Sequence, residues 1–129
     1  MKALLDTNVF LWCIGGKKSR VSARASKIVE DDDTKLLLSV ASLWEIALKV
    51  RTGKLELPET ADFFHRHMAL LGIDAVLAIE ARHVFALFGL PDHHRDPFDR
   101  LLAAQCVAEK LPLIASDPML RRYPIEVIW

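Results

Sequence analysis

Five short apolar runs punctuate this chain, and each is too brief to be a helix. They fall at residues 2–5, 35–38, 73–76, 113–115 and 125–128, and the stretches between the first four carry helical periodicity. Runs of three or four residues, mostly apolar and bounded by turn-formers, read as strands buried on both faces. Strands of that kind, separated by helices, belong to a mainly parallel sheet with helices packed over it. The expectation is one α/β domain spanning residues 1–129, with about five strands. No repeat, linker or low-complexity segment interrupts the pattern.

The helices have readable punctuation. Residues 39–51 form the clearest one, with Val40, Leu43, Trp44, Ala47 and Leu48 in one wide apolar stripe and Gly53 just beyond its end. Ser22 or Ser19 caps a helix running to residue 31. Pro58 opens a helix that Gly72 closes, residues 78–88 form another ending at Gly89, and 97–110 form the last. A short helix over 9–14 follows the first strand, and 90–94 reads as loop.

Composition narrows the function. Hydrophobic residues make up 52% of the chain, enough for a core, and 17 basic side chains balance 17 acidic ones. A whole-protein field that would attract nucleic acid is therefore absent, and such binding needs a local basic patch or metal ions to meet the phosphates. Cys13 and Cys106 sit in apolar helical contexts and read as buried thiols of a reducing compartment. No secretory leader is visible, and no apolar run approaches the roughly 18 residues needed to cross a bilayer. These features predict a soluble, cytoplasmic protein.

The acidic residues are placed unusually. Asp6 ends the first apolar run, Glu45 lies in the helix over 39–51, Asp96 and Asp99 open the helix over 97–110, and Asp117 follows the fourth run. Each has a structural explanation. Asp6-Thr7-Asn8 is good capping chemistry, Glu45 can pair with Lys49 or box with Ser42, and Asp96-Pro97 and Asp117-Pro118 are helix starts. Taken together they suggest more. In open parallel sheets the functional crevice lies beyond the carboxyl ends of the strands, which is where Asp6 and Asp117 are expected. Two carboxylates about 4 Å apart repel by roughly 4 kcal/mol at an effective dielectric near 20. Caps do not need such crowding, whereas a hard divalent cation does.

Other chemistries lack their residues. Phosphoaspartyl hydrolases place a second acid two residues after the first, where this chain has Asn8. The paired acids and late lysine of receiver domains, a phosphate-binding Gly-x-x-x-x-Gly-Lys loop and a Gly-x-Ser-x-Gly elbow are all missing. His93 and His94 have too few nitrogen or sulfur companions for zinc and read as loop residues.

Four segments taken in order resemble a known family: Leu4-Leu5-Asp6-Thr7-Asn8, Ser42-Leu43-Trp44-Glu45-Ile46, the run from His94 to Gln105, and Ser116-Asp117-Pro118. They resemble PIN-domain ribonucleases, and most closely the VapC toxins of VapBC toxin–antitoxin pairs, from Leu4 to Trp129. The resemblance implies a three-layer α/β/α fold. It also implies a Mg²⁺- or Mn²⁺-dependent endoribonuclease, usually a homodimer, silenced by a VapB-type antitoxin.

Carried over by position, Asp6, Glu45, Asp99 and Asp117 match the family's acids. Asp99 is preferred to Asp96 because it directly precedes the Leu-Leu-Ala-Ala run, which leaves Asp96 as a cap or an outer ligand. Asn8 and Ser116 would orient carboxylates or water. The implied chemistry is attack of water, aligned by Glu45 or a neighbour, on the scissile phosphorus beside one or two metals held by Asp6, Asp99 and Asp117, with Glu45 and Asp96 as further candidate ligands. Two rival functions are a PIN-like domain that binds RNA or a partner without cutting, and a structure-specific DNA nuclease. The intact acidic set speaks against the first rival and the short chain against the second.

The substrate groove is less visible. Lys17, Lys18, Arg20 and Arg24 form one basic cluster and Lys49, Arg51 and Lys54 another; both read as solvated faces, with phosphate positioning as the alternative. Trp12 and Trp44 read as core, with reception of an antitoxin helix as the alternative.

Overall fold

The structure is a computed structural model that describes residues 1–92 and 95–129; the loop reading of His93 and His94 lies outside the described residues. Five parallel strands form one sheet: β1 (Lys2–Leu5), β2 (Lys35–Ser39), β3 (Ile73–Leu77), β4 (Leu113–Ile114) and β5 (Val127–Ile128), in the spatial order β3-β2-β1-β4-β5. The helices are α1 (Thr7–Ile14), α2 (Ala23–Val29), α3 (Val40–Arg51), α4 (Ala61–Leu71), α5 (Ala81–Ala86) and α6 (Pro97–Glu109).

Side chains alternate across a strand, and here the alternation divides the interior into two cores. Ala3 and Leu5 of β1, with Leu36 and Leu38 of β2, pack on one face with Val9, Phe10, Ala25, Ile46 and Met68. Leu4 and Leu37 pack on the other face against Leu101, Leu102, Ala104 and Leu120. Helices therefore cover both faces, giving the three-layer α/β/α arrangement. β3 departs from the expected two-sided burial. It is an edge strand with exposed residues along its middle, and Asp74 Oδ2 accepts from the Leu36 backbone N–H at 2.9 Å where the β2–β3 register slips.

Three helix readings need correction. The helix expected from Pro58 begins at Ala61, because the Thr60 hydroxyl accepts from the Phe63 backbone N–H and a side-chain cap prevails over proline's fixed φ as the start signal. The helix expected over 78–88 is only α5 followed by a 3₁₀ turn, Leu87–Gly89, since the Glu80 N–H donates to His83 Nδ1 and fixes the start late. The third concerns α3, whose buried residues are Ala41, Ser42, Glu45 and Ile46. Val40, Trp44 and Leu48 of the apolar stripe are exposed, so Trp44 is not core. The setting is fixed at the start of the helix, where buried Ser39 Oγ accepts from the Ala41 N–H. The small Ala41 and Ser42 then turn inward and let the helix approach closely.

Candidate functional site

The chain runs from β1 through β2 to β3 in one direction across the sheet, then returns to place β4 on the other side of β1. The gap between β1 and β4 is the topological switch point, where such sheets open a crevice at their carboxyl ends. Asp6 stands there, its N–H donating to the Ile114 carbonyl of β4 at 3.0 Å. Its Oδ2 accepts from the Asn8 N–H at 3.2 Å, so Asp6 does cap α1, yet its side chain is buried.

Burial pushes the Asp6 carboxyl up from 3.8 to about 7; Asp99 and then Glu45 add to the rise by charge, while the Asn8 and Thr7 backbone N–H groups oppose it. Acids on α3 and α6 thus both act on the acid that follows β1. Glu45 is equally buried. Its Oε2 lies 2.7 Å from Lys49 Nζ, and among the described residues its Oε1 is the one buried side-chain polar atom with no hydrogen-bond partner. An i,i+4 ion pair contributes about 0.2–0.5 kcal/mol, whereas desolvating a carboxylate costs several kcal/mol. The pair with Lys49 does not explain why Glu45 is buried.

Asp96 and Asp99 have separated roles. Asp96 is exposed and caps α6, its Oδ1 accepting from the Phe98 N–H at 2.8 Å and the Asp99 N–H at 3.4 Å. Asp99, in the first turn, is half-buried and close enough to raise the Asp6 pKa. Asp117 follows β4, the neighbour of β1, and caps a 3₁₀ turn (Pro118–Arg122) through the Met119 N–H at 2.9 Å. Ser116 is half-buried beside it. Asn8 is exposed and meets Asp6 through its backbone.

Several polar bonds of the interior escaped the sequence reading. The Thr7 hydroxyl donates to Ser42 Oγ at 2.8 Å, tying α1 to α3 beneath the acids. The Ser39 hydroxyl donates to Gln105 Oε1, and the Gln105 amide nitrogen donates to the Ala78 carbonyl at 3.2 Å and faces His83 Nδ1 at 3.3 Å. The available signal was Gln105 itself, a polar side chain inside an apolar run, which a buried helix tolerates only with a partner.

Glu80, His83 and Glu109 also place potential ligand atoms within 4.8 Å of one another. That cluster is a closed ion-pair network. The Arg82 guanidinium bonds both carboxylates, and His83 Nε2 donates to Glu109 at 2.8 Å while its Nδ1 accepts from Glu80. It lies at the far end of α6 from Asp99, roughly 15 Å along the axis at 1.5 Å per residue.

At the switch point the donor set is all oxygen. It combines a carboxyl whose proton affinity is raised by burial and then by neighbouring acids with a buried oxygen that no described residue satisfies. This suits a hard divalent ion such as Mg²⁺ or Mn²⁺, and the residues present fit one.

Residues 3–126 match the PIN domain family, and the chain belongs to that family, whose nuclease members are hydrolases. Among solved structures it is similar to "VapBC2 from Rickettsia felis bound to a DNA fragment from their promoter". The TM-score is 0.68 at 14% identity, covering 98% of this chain and 97% of that one. A search of curated proteins finds no match. No helix among the described residues is long and apolar enough to cross a membrane.

Proposed function

We propose that this protein is a metal-dependent endoribonuclease and the toxin of a type II toxin–antitoxin pair. The carrying observation is that Glu45 and Asp99, from two other helices, both act on the buried Asp6 carboxyl at the switch point. Family membership and the likeness to the VapBC2 structure support the reading. Asp6, Asp99 and Asp117 would hold Mg²⁺ or Mn²⁺. When bound, such an ion lowers the pKa of a water and neutralises charge on the phosphodiester.

The chain's residues do the rest. Glu45 Oε1 is free to accept from the attacking water and align it, while Lys49 holds the other carboxylate oxygen. The Asn8 N–H fixes the rotamer of Asp6, and the Thr7–Ser42 bond fixes α1 against α3, so Asp6 and Glu45 keep their separation. The Asn8 and Ser116 side chains would orient water at the rim. Water oxygen bonds to phosphorus as the bond to the 3′-oxygen breaks, with the RNA 2′-hydroxyl a spectator.

The partner in this reading is a VapB-type antitoxin. An apolar cavity of about 320 Å³ between α3 and α4, with Leu43, Ala47, Val50, Phe64 and Met68 in its walls, offers a seat for an amphipathic segment. Exposed Phe85 and Phe88, stacked 6.5 Å apart, offer a second copy an apolar surface for a homodimer. The activity test is RNA cleavage in Mg²⁺ or Mn²⁺ against cleavage in EDTA. Cleavage with the metals alone is expected, and equal cleavage in EDTA contradicts the mechanism.

A further inference from the structure

Polar side chains near the carboxyl ends of β2 and β3 form one directed relay. Ser39, His83 and Gln105 are fully buried, so each needs its partners inside the protein. Three backbone groups set the direction, because a peptide N–H only donates and a carbonyl only accepts. The Ala41 N–H donates to Ser39 Oγ at 3.0 Å, which leaves the hydroxyl proton for Gln105 Oε1 at 2.5 Å. The Ala78 carbonyl takes one amide proton of Gln105 at 3.2 Å. The Glu80 N–H donates to His83 Nδ1 at 3.0 Å, so that nitrogen is an acceptor and the ring proton sits on Nε2, toward Glu109.

The second amide proton of Gln105 faces the same Nδ1 at 3.3 Å. The ring with its proton on Nε2 alone is the form that accepts it. His83 therefore holds the Gln105 amide in the orientation that points Oε1 at Ser39. The consequence reaches the acids. Ser39 caps α3 six residues before Glu45, and Gln105 lies on α6 six residues after Asp99. Six residues span roughly 9 Å of helix at about 1.5 Å per residue. A tilt of about 6° over that length moves an acid by about 1 Å. A misplacement of about 1 Å costs up to roughly 100-fold in rate, even when the mutation behind it is far from the chemistry.

We propose that His83 is a positioning residue of the acidic site. Through Nδ1 it orients Gln105, which sets α3 against α6 and so Glu45 against Asp99. This rests on the ribonuclease reading above and adds a residue on α5, which carries none of the acids, to what that reaction requires.

The experiment separates the two ring nitrogens. Asparagine carries an oxygen where the ring has Nδ1, and glutamine carries a nitrogen where it has Nε2. His83→Asn keeps the acceptor for Gln105 and gives up the Glu109 contact, and His83→Gln does the reverse. Steady-state cleavage of an unstructured oligoribonucleotide in Mn²⁺ is measured for both, for His83→Phe and for the wild-type protein, with urea unfolding alongside. His83→Gln and His83→Phe are expected to lower kcat roughly 10- to 100-fold with little change in KM, while His83→Asn keeps kcat near the wild-type value. That order is not the order of lost contacts with Glu109, which a merely structural role follows. Equal kcat in the Asn and Gln variants, or a change confined to KM, overturns the proposal while the ribonuclease reading stands. If His83→Phe does not fold, the Asn and Gln variants decide. Nitrogen NMR of the wild-type protein tests the relay without activity: a proton on Nε2 is expected, and a proton on Nδ1 overturns it. A wild-type protein that does not cleave RNA overturns both this role and the ribonuclease reading.

Discussion

Ser39 and Gln105, 66 residues apart, share a buried hydrogen bond of 2.5 Å that fastens the start of α3 to the middle of α6. Those two helices carry Glu45 and Asp99. Gln105→Leu keeps the bulk of the side chain but leaves the Ser39 hydroxyl without its acceptor and the Ala78 carbonyl without this donor. A buried polar group left unsatisfied costs about 1–3 kcal/mol. Urea unfolding should show a loss of about 2 kcal/mol, and a loss under about 0.5 kcal/mol would mean the network is not a brace.

Asp6 gives the stability curve a sign. Its pKa is raised by the fold from 3.8 to about 7, so the fold favours the protonated form. Its contribution is fully present below about pH 4 and is lost as pH rises through 7. Asp6→Asn should therefore match the wild-type protein near pH 4 and be the more stable of the two above pH 7 in EDTA. The upper limit of the gain is roughly 4 kcal/mol at 1.36 kcal/mol per pKa unit. Denaturant titrations at both pH values check this; a wild-type advantage at pH 8 would contradict it.

Lys49 and Arg51 provide a matched comparison. Lys49 pairs with buried Glu45, while Arg51 pairs with exposed Glu59 at 3.7 Å. Lys49→Met leaves a buried carboxylate alone and should cost about 1 kcal/mol, a figure already reduced for the partial exposure of Lys49. Arg51→Met should cost less than about 0.5 kcal/mol. Adding Glu45→Gln should restore most of what Lys49→Met loses, and equal losses for the two single variants would sink this account.

The thiols should differ in reactivity. Burial pushes Cys106 up to about 12, and half-burial raises Cys13 by a smaller shift. The native protein should present Cys13 alone to a thiol-titrating disulfide, slowly, with Cys106 appearing only on unfolding. A native titration unchanged by Cys13→Ala would reverse the assignment.

Local signals and pairwise ones were not equally legible in the sequence. The expected strand starts at 2, 35, 73 and 113 coincide with those observed, since each apolar run is bounded by turn-formers or a helix cap. The positions of Asp6 and Asp99 were legible for the same reason, as they close a strand and open a helix. The setting of α3 was not legible. Periodicity identifies an apolar stripe but not the side on which the core lies, and here buried Glu45 and Ser42 face inward while Trp44 faces out. The Thr7–Ser42 and Ser39–Gln105 bonds join residues 35 and 66 positions apart, a separation at which no local pattern carries information.

The central claim is that the acids at the β1–β4 switch point converge on one divalent ion. Calorimetric titration with Mn²⁺ tests it most directly, using the wild-type protein, Asp6→Asn, Asp99→Asn and Glu80→Gln. Binding should weaken at least about tenfold in each aspartate variant, in line with the loss of a ligand, and should be unchanged in Glu80→Gln. Wild-type affinity in both aspartate variants, with binding lost in Glu80→Gln, would move the metal to the Glu80–His83–Glu109 cluster and contradict the account.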